Sequence, residues 1–338
     1  MCAAPVAAGL PRPGEDALIA RYFAPLALAP GAAGLLDDAA VLPADGASDQ
    51  VLTTDAIAVG VHFLPDDAPG EIARKALRVN LSDLAAKGAR PYGYLLTLAL
   101  PDDWREDWLA AFAAGLADDQ AAFGVSLLGG DTIRAAGGLT VSVTAIGTVA
   151  RGAAVRRTTG RPGQRLFVTG TIGDAALGLR LRRDEALAAR AGLSPAEAAF
   201  LAERYVRPRP RLDAADAIRR HAAAAMDISD GLAGDLARLC AASGTGAVIE
   251  RARVPLSPAA RRLVAAEPGL WPAVLAGGDD YEILAAVPPE RAGDFAGEVA
   301  AAGLVACDIG VLTAGSSVDV LDEAGRPLPV GKAPFQHF

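Results

Sequence analysis

Cysteine and histidine are scarce in this sequence of 338 residues, which contains three of each. The cysteines, Cys2, Cys240 and Cys307, are odd in number and far apart, so they fit neither a disulfide framework nor a zinc site. Three histidines likewise leave little material for a His-rich metal centre. These counts predict reduced thiols and a cytoplasmic location.

Long apolar runs and an excess of basic residues are also missing. No stretch approaches the roughly 18 apolar residues of a membrane span, and the first residues lack the basic region of a secretory signal. Asp and Glu together number 40 against 32 Lys and Arg, which argues against binding to nucleic acid or to an anionic membrane. We therefore expect no nucleic-acid partner and no membrane partner. Small anionic ligands stay compatible, because divalent cations can recruit phosphates to an acidic protein.

Hydrophobic residues make up 52% of the chain, and its length suits two globular domains. Short β-type runs alternate with Ala-rich helical stretches, which predicts a mixed α/β (α+β) fold. The segment 151–163, rich in Arg, Thr and Gly, is interpreted as a junction between domains at 1–150 and 151–338. The predicted strands are 51–54, 94–100, 125–128, 139–149, 165–169, 247–250 and 281–287, and the predicted helices are 71–87, 104–123, one from 174, 212–221, 231–242 and 290–302.

Aspartates recur at positions where a buried core would exclude them, at predicted strand ends beside glycine or small residues and on one helix face. They are Asp37 and Asp38, Asp55, Asp83, Asp131, Asp227 and Asp230, and Asp279 and Asp280. Any one of them is explained as a helix N-cap or a turn residue. Together they predict a shared site, because buried carboxylates are costly unless they are paired or bind a metal, and strand ends form ligand sites in α/β proteins.

The residue types favour magnesium and phosphoryl transfer. Carboxylates with Thr and Ser hydroxyls, and without Cys or His partners, suit Mg²⁺, which normally completes its coordination with water and substrate phosphates. The sequence has no G-x-x-x-x-G-K-[ST], no G-x-G-x-x-G after a strand, and no protein-kinase motifs. Phosphate would therefore be held by metal ions, backbone amides and arginines.

Several runs, taken together and in order, resemble the thiamine-monophosphate kinase family of the aminoimidazole ribonucleotide synthetase-like ATP-binding superfamily. They are LLDDAAVL (35–42), TTDAIAVGVHF (53–63), KALRVNLSDLAAKGARP (75–91), GGDTIR (129–134), RPGQRLFVTGTIGDAALGL (161–179), MDISDGLAGDL (226–236), GGDDYEI (277–283) and the terminal HF. Each motif alone is weak, but the ordered set spans nearly the whole chain and is specific.

The resemblance implies a homodimer of two-domain subunits that uses ATP and several Mg²⁺ ions to convert thiamine monophosphate to thiamine diphosphate by direct in-line transfer. Residues 1–150 would form the ATP- and Mg²⁺-binding dimerisation domain, and residues 151–338 an α/β domain that completes the active site. The implied metal ligands are Asp38, Thr53, Thr54, Asp55, Asp83, Asp131, Asp227 and Asp230, of which Asp38, Asp83, Asp131 and Asp230 form the catalytic set. The implied nucleotide contacts are Gly130, Asp131, Arg157 and Ser229, and the implied substrate contacts are His62, Asp279 and Phe335.

Other interpretations remain open at this point. The chain could be another ATP-dependent member of the superfamily, or a non-catalytic protein that binds Mg-nucleotide or thiamine phosphates. Leu36 favours the non-catalytic alternative, because the family usually has glycine directly before the aspartate pair. Among single residues, His62 could be an ordinary strand histidine, Arg157 a solvated turn residue, and Asp230 a helix N-cap.

Overall fold

The computed structural model describes residues 18–28 and 46–328, so Leu36, Asp38 and Phe335 lie outside the described residues. The chain divides into two units, which are described separately. The first unit is Met1–Asp45, Thr54–Leu77 and Pro91–Ile146, and the second is Gly46–Thr53, Arg78–Arg90 and Gly147–Phe338. Along the described ranges, no helix is long and apolar enough to cross a membrane.

The N-terminal half of the chain forms a four-stranded sheet with two long helices. The elements, in chain order, are β1 (Ser48–Ala58), α1 (Pro69–Ala86), β2 (Arg90–Leu100), α2 (Glu106–Phe123), β3 (Ser126–Arg134) and β4 (Thr140–Ala150). The strand order is β1-β4-β2-β3, and β2 and β3 run parallel. Leu96 and Leu98 on β2 are buried while Leu95 is exposed, so the alternation of the strand separates a core face from an open face.

A six-stranded mixed sheet dominates the second unit, with strand order β10-β7-β9-β5-β8-β6. Its strands are β5 (Arg165–Thr169), β6 (Ala224–Ile228), β7 (Gly246–Glu250), β8 (Glu282–Val287), β9 (Ala306–Thr313) and β10 (Val318–Leu321). Only β10 and β7 pair in parallel within this sheet. Its helices are α3 (Asp174–Arg183), α4 (Ala186–Arg190), α5 (Pro195–Val206), α6 (Ala215–His221), α7 (Leu232–Ser243), α8 (Pro258–Ala266), α9 (Trp271–Ala276) and α10 (Ala292–Ala301).

Both faces of this second sheet are covered, as the apolar run of β5 requires. Leu166 and Val168 contribute to one hydrophobic core, and Phe167 between them contributes to the other. On the second side Phe167 meets Phe295 of α10 edge to face, with ring centroids 5.3 Å apart. Strand β5 is therefore buried on both faces of the sheet, and its pairing with β8 and β9 fixes the positions of these neighbouring strands.

The mixed α/β fold predicted from sequence is confirmed, and the differences concern the extent of particular elements. Strand β1 continues to Ala58, so Asp55 lies inside the strand and not at its end. Strand β3 continues to Arg134, and Asp131 pairs with Thr97 of β2 within it, so the prediction that Asp131 follows the strand was wrong. Helix α1 ends as predicted, with Gly88 at φ +67° just beyond it.

Candidate functional site

In the second unit, β1 and α1 bring together two of the predicted metal ligands. Thr53 Oγ1 donates a hydrogen bond of 2.6 Å to Oδ2 of Asp83. Asp83 lies on α1, three residues after the fully buried Asn80. The helix ends one turn later, before Gly88. The side chain is only partly buried, so a hydroxyl and a carboxylate meet where an incoming cation can reach them.

Lys87, which the sequence analysis did not single out, stands beside this pair. Its Nζ donates a hydrogen bond of 3.0 Å to the carbonyl oxygen of Ala225 on β6. Burial lowers the pKa of the Lys87 ammonium, whereas the carboxylates of Asp227 and Asp83 act in the opposite direction and favour the charged form. The signal that could have found it is its spacing, four residues after Asp83 on the same helical face.

Arg157 approaches the same group of charges from the 151–163 segment. Its positive charge lowers the pKa of Lys87, which places it near that ammonium. The side chain of Arg157 is exposed and makes no ion pair within the described residues, while its carbonyl oxygen accepts a 2.7 Å hydrogen bond from Ser243 Oγ. The backbone is thus anchored and the guanidinium is available for an anionic ligand.

Asp230, near the end of β6, is paired with a cation and does not cap a helix. Its carboxylate accepts from Arg238, which also donates to Oδ1 of Asp235 at 2.8 Å. Its backbone N–H donates to Oδ2 of Asp235 at 2.9 Å. Gly231 is the N-cap residue of α7 and no side chain caps that end, so the interpretation of Asp230 as an N-cap was wrong.

We expect Asp235 to give the protein a pH-dependent stability below neutrality. Burial raises its pKa to about 6, so the folded state keeps this proton at pH values where the unfolded chain has lost it. The free energy of unfolding should therefore fall as the pH rises from about 4 to about 6, by about 2–3 kcal/mol from this group. Asp235→Asn should remove that part of the profile, measured by urea unfolding at several pH values. A variant profile parallel to the wild type across this range would contradict the assignment.

The GGDDY segment forms a tight turn against the end of β6. Asp279 and Tyr281 have φ values of +63° and +51°, which side chains rarely adopt. The N–H groups of these two residues donate to the carbonyl oxygens of Ser229 at 2.7 Å and Ile228 at 2.8 Å. The turn that carries Asp279 is therefore bonded directly to the strand end that leads from Asp227 to Asp230.

A buried ionic network supports that turn from behind. Glu282 is fully buried and accepts from Arg204 at 2.9 Å, from Arg211 Nε at 2.6 Å and from Thr169 Oγ1 at 2.8 Å. Arg204 also donates to the carbonyl oxygen of Asp280 at 3.2 Å. The Asp280 carboxylate accepts from the N–H of Gly173 at 2.8 Å, and its burial raises its pKa well above the usual range. This network fixes the turn that presents Asp279.

In the first unit, β3 presents the predicted nucleotide contacts Gly130 and Asp131. Asp131 is exposed and pairs with Thr97, on the same face of the sheet as exposed Leu95. A Cβ at position 130 would lie 1.8 Å from the carbonyl oxygen of Leu96, so only glycine allows this approach of β3 to β2. On β1, Thr54 Oγ1 donates to the carbonyl oxygen of Val143 at 3.2 Å.

His62 lies in the turn after β1, and its main chain is held by a buried lysine. Its Nδ1 accepts a 3.1 Å hydrogen bond from the N–H of Ala58, which fixes the ring against the end of the strand. Lys75, which is 1% exposed, donates from Nζ to the carbonyl oxygen of His62 at 2.7 Å. The histidine is half-buried, so the structure is consistent with an ordinary turn residue, and its role toward substrate stays a prediction.

The structure thus brings together the part of the predicted site that lies in the second unit, whereas the predicted residues on β1 and β3 of the first sheet lie on its two outer strands. In the second unit, Asp83, Asp227 and Arg157 lie near Lys87. Thr53 is bonded to Asp83, and the carbonyl oxygen of Ser229, the residue before Asp230, is bonded to the turn of Asp279. The first unit carries Thr54, Asp55, His62, Gly130 and Asp131, and Asp38 and Phe335 lie outside the described residues. Within residues 18–28 and 46–328, no group of three or more His, Cys, Asp or Glu side chains could by itself hold a metal ion.

The donor chemistry of the second-unit group fits Mg²⁺. Asp83 and Asp227 offer carboxylate oxygens and Thr53 a hydroxyl, which are the hard ligands that this ion prefers. Lys87 and Arg157 are cations near these carboxylates.

The chain matches the models of two domains of one known protein family. The matches are to AIR synthase related protein, N-terminal domain, over residues 36–149, and to AIR synthase related protein, C-terminal domain, over residues 161–323. The thiamine-monophosphate kinase of Caulobacter vibrioides is 45% identical over 320 residues, covering 94% of this chain and 88% of the relative.

Solved structures give the same result. The thiamine-monophosphate kinase from Stenotrophomonas maltophilia K279a has a TM-score of 0.78 at 37% identity, covering 87% of this chain and 91% of that chain. AaThiL complexed with AMPPCP and TMP has a TM-score of 0.76 at 30% identity, covering 89% of this chain and 91% of that one. Since these kinases match nearly the whole length of the sequence in both identity and fold, this chain belongs to the thiamine-monophosphate kinase family of AIR synthase related proteins.

Proposed function

We propose that this protein transfers the γ-phosphoryl group of ATP to thiamine monophosphate, giving thiamine diphosphate and ADP. The observation that carries the proposal is the charge group of the second unit. An anchored, exposed Arg157 without an ion-pair partner in the described part of the chain stands near Lys87, Asp83 and Asp227. Family membership supplies the substrates, since a relative of the same fold is complexed with AMPPCP and TMP.

The chemistry needs no catalytic base. The nucleophile is a phosphate oxygen of thiamine monophosphate, whose second pKa near ~6 leaves it dianionic at neutral pH. As that oxygen bonds to the γ-phosphorus, the bond from phosphorus to the bridging oxygen of ATP breaks and ADP leaves with the electron pair. The obstacle is the repulsion between two polyanions, so catalysis consists of alignment and charge stabilisation. Arg157 is suited to neutralise phosphate charge, and Ser229, whose hydroxyl has no hydrogen-bond partner among the described residues, is suited to donate to a phosphate.

Several Mg²⁺ ions are part of the proposal. Thr53, Asp83, Asp227 and Asp230 of the second unit would hold them, together with Asp38, Thr54, Asp55 and Asp131. When bound, Mg²⁺ supplies positive charge that offsets the phosphate charges. The protein's own contribution is the placement of the ligands, in which the hydrogen bond from Thr53 orients the Asp83 carboxylate.

Substrate orientation is proposed for His62 and Asp279. Asp279 is carried by a turn whose main chain is bonded to Ile228 and Ser229 and supported by a buried network, so the backbone that presents its carboxylate is held in place. A carboxylate presented in this way suits the cationic thiazolium ring of thiamine. The test is an assay with ATP, Mg²⁺ and thiamine monophosphate, with separate detection of ADP and thiamine diphosphate. Tight binding of both ligands without product over hours would overturn the proposal in favour of a binding protein.

A homodimer in the cytoplasm, with domains at 1–150 and 151–338, completes the proposal. The open face of the first sheet supports self-association, because Leu95 on β2 and Ile133 on β3 are 39% and 47% exposed on the same side. Exposed apolar side chains that share one sheet face are typical of an interaction surface.

We expect Ile133→Glu to weaken the dimer by about 100-fold, because each copy of a two-fold interface loses an apolar contact and buries a charge. Light scattering coupled to size-exclusion chromatography across a concentration series measures this. Val305→Glu is the matched control, since Val305 is 60% exposed in the second unit. Equal effects of the two substitutions, or none from either, would exclude this face as the interface.

A further inference from the structure

Lys87 takes no part in the proposed phosphoryl transfer, yet hydrogen bonds from both its main chain and its side chain hold it in place. Its N–H donates to the carbonyl oxygens of Asp83 at 3.2 Å and Leu84 at 3.1 Å, so the helical turn of α1 continues through it. Its Nζ reaches the carbonyl oxygen of Ala225 on β6 at 3.0 Å. Asp227 follows two residues later on the same strand, and alternate residues of a strand share a face.

Asp83 and Asp227 are the carboxylates that act on this ammonium, and Arg157 is the neighbouring cation. Asp83 belongs to α1 and Asp227 to β6, so Lys87 stands between two elements that each carry a negative charge. Without a positive charge near them, two partly buried carboxylates would destabilise the folded state, because they repel each other and have lost part of their hydration.

We propose that Lys87 is a resident counter-cation for Asp83 and Asp227, which stabilises this pair before a metal ion binds and weakens the binding of that ion. The inference deepens the proposed function, in which both aspartates bind Mg²⁺. Lys87 is a positioning residue in this role, because it acts through the two carboxylates and not on the substrate. A simpler role would be a tether of α1 to β6 through the Ala225 hydrogen bond alone.

The charge role and the tether role give different results in Lys87→Met. Loss of a counter-cation should matter most without metal, because Mg²⁺ can take over the neutralisation of the carboxylates. We expect the melting temperature of the variant in EDTA to be lower than that of the wild type by at least about 2–4 °C. The difference should disappear as MgCl₂ is added. We also expect the Mg²⁺ concentration at half-maximal stabilisation to fall at least ~3-fold, since a competing positive charge has been removed.

Two further variants make the test specific. Lys87→Arg keeps the charge and should behave as the wild type in EDTA. Asp227→Asn removes one of the carboxylates, so adding Lys87→Met to it should cost less in EDTA than Lys87→Met costs in the wild type. If Lys87→Met alone is unfolded in EDTA, recovery of folding in the double variant supports the counter-cation role.

Three results would overturn the proposal. The first is a loss of stability in Lys87→Met that is the same at every Mg²⁺ concentration. The second is an equal loss in the Asp227→Asn background, and the third is no loss in EDTA at all. Every measurement uses the full chain with Mg²⁺ alone and without nucleotide, so the outcome is independent of whether the kinase assay succeeds.

Discussion

Replacing Asp230 with asparagine should reduce turnover by at least ~100-fold, the scale of losing one electrostatic contact to a reacting centre. The melting temperature should change little. The Asp230 side chain is 28% exposed and its partner Arg238 is 37% exposed, and such a partly exposed pair contributes about 1 kcal/mol or less. Because Asp230 does not cap α7, the substitution leaves the helix end intact.

The control for this experiment is Asp184→Asn. Asp184 is paired with Arg190 at 2.8 Å, with the two side chains 47% and 48% exposed, and it also accepts from the N–H of Ala186. This change removes a comparable surface ion pair away from the candidate site and should leave turnover unaffected. Wild-type turnover in Asp230→Asn, measured beside its melting temperature, would exclude Asp230 as a metal ligand and weaken the assignment of Asp227.

Arg204→Met should produce the largest loss of stability among single substitutions behind the site, about 3–5 kcal/mol. The side chains of Arg204 and Glu282 are only 3% and 0% exposed. Removal of the guanidinium leaves Glu282 with Arg211 and Thr169, and leaves the carbonyl oxygen of Asp280 without this donor. Urea unfolding of the wild type and the variant gives the difference in free energy.

Arg209→Met is a matched control from the same stretch of chain. Arg209 pairs with Glu203 at 3.3 Å, but the two side chains are 49% and 42% exposed, so this pair should contribute about 1 kcal/mol or less. If both substitutions lower the stability equally, the buried network does not hold the turn. A surviving Arg204→Met protein should also show a raised KM for thiamine monophosphate, because the turn carrying Asp279 loses its support.

Local signals in the sequence were enough for the elements whose patterns are regular. Helix α1 has an amphipathic stretch and a terminal glycine, and its end was predicted within one residue. The glycine pair before Asp131 suggested that the strand ends there, but Gly129 and Gly130 pair with β2 and continue β3. Glycine is required at 130 because β2 approaches too closely for any side chain. Helix α5 was not predicted, although Ser194 and Glu197 form a capping box that the S-x-x-E spacing signals.

Only those residues of the candidate site that belong to a family motif could be identified from the sequence. The grouping of Thr53 with Asp83 was implied by the resemblance, and the hydrogen bond between them is local to the second unit. The cations that accompany the carboxylates were missed. Lys87 and Arg238 are single basic residues on helices, where exposure is the usual expectation. The pairing of Arg204 with Glu282 joins residues 78 positions apart, and no local pattern reports such a contact.

The central position of β5 in the six-stranded sheet affects how the protein must fold as it is synthesised. The neighbours of β5 are β8 and β9, and its Thr169 meets Glu282 across 113 residues of sequence. At ~5–20 residues per second, the apolar strand LFVT waits about 6–23 s on the ribosome before its first partner emerges. During that interval both edges of β5 are unpaired, so nascent chains that pause before residue 282 should be the species most dependent on chaperones and most prone to aggregate.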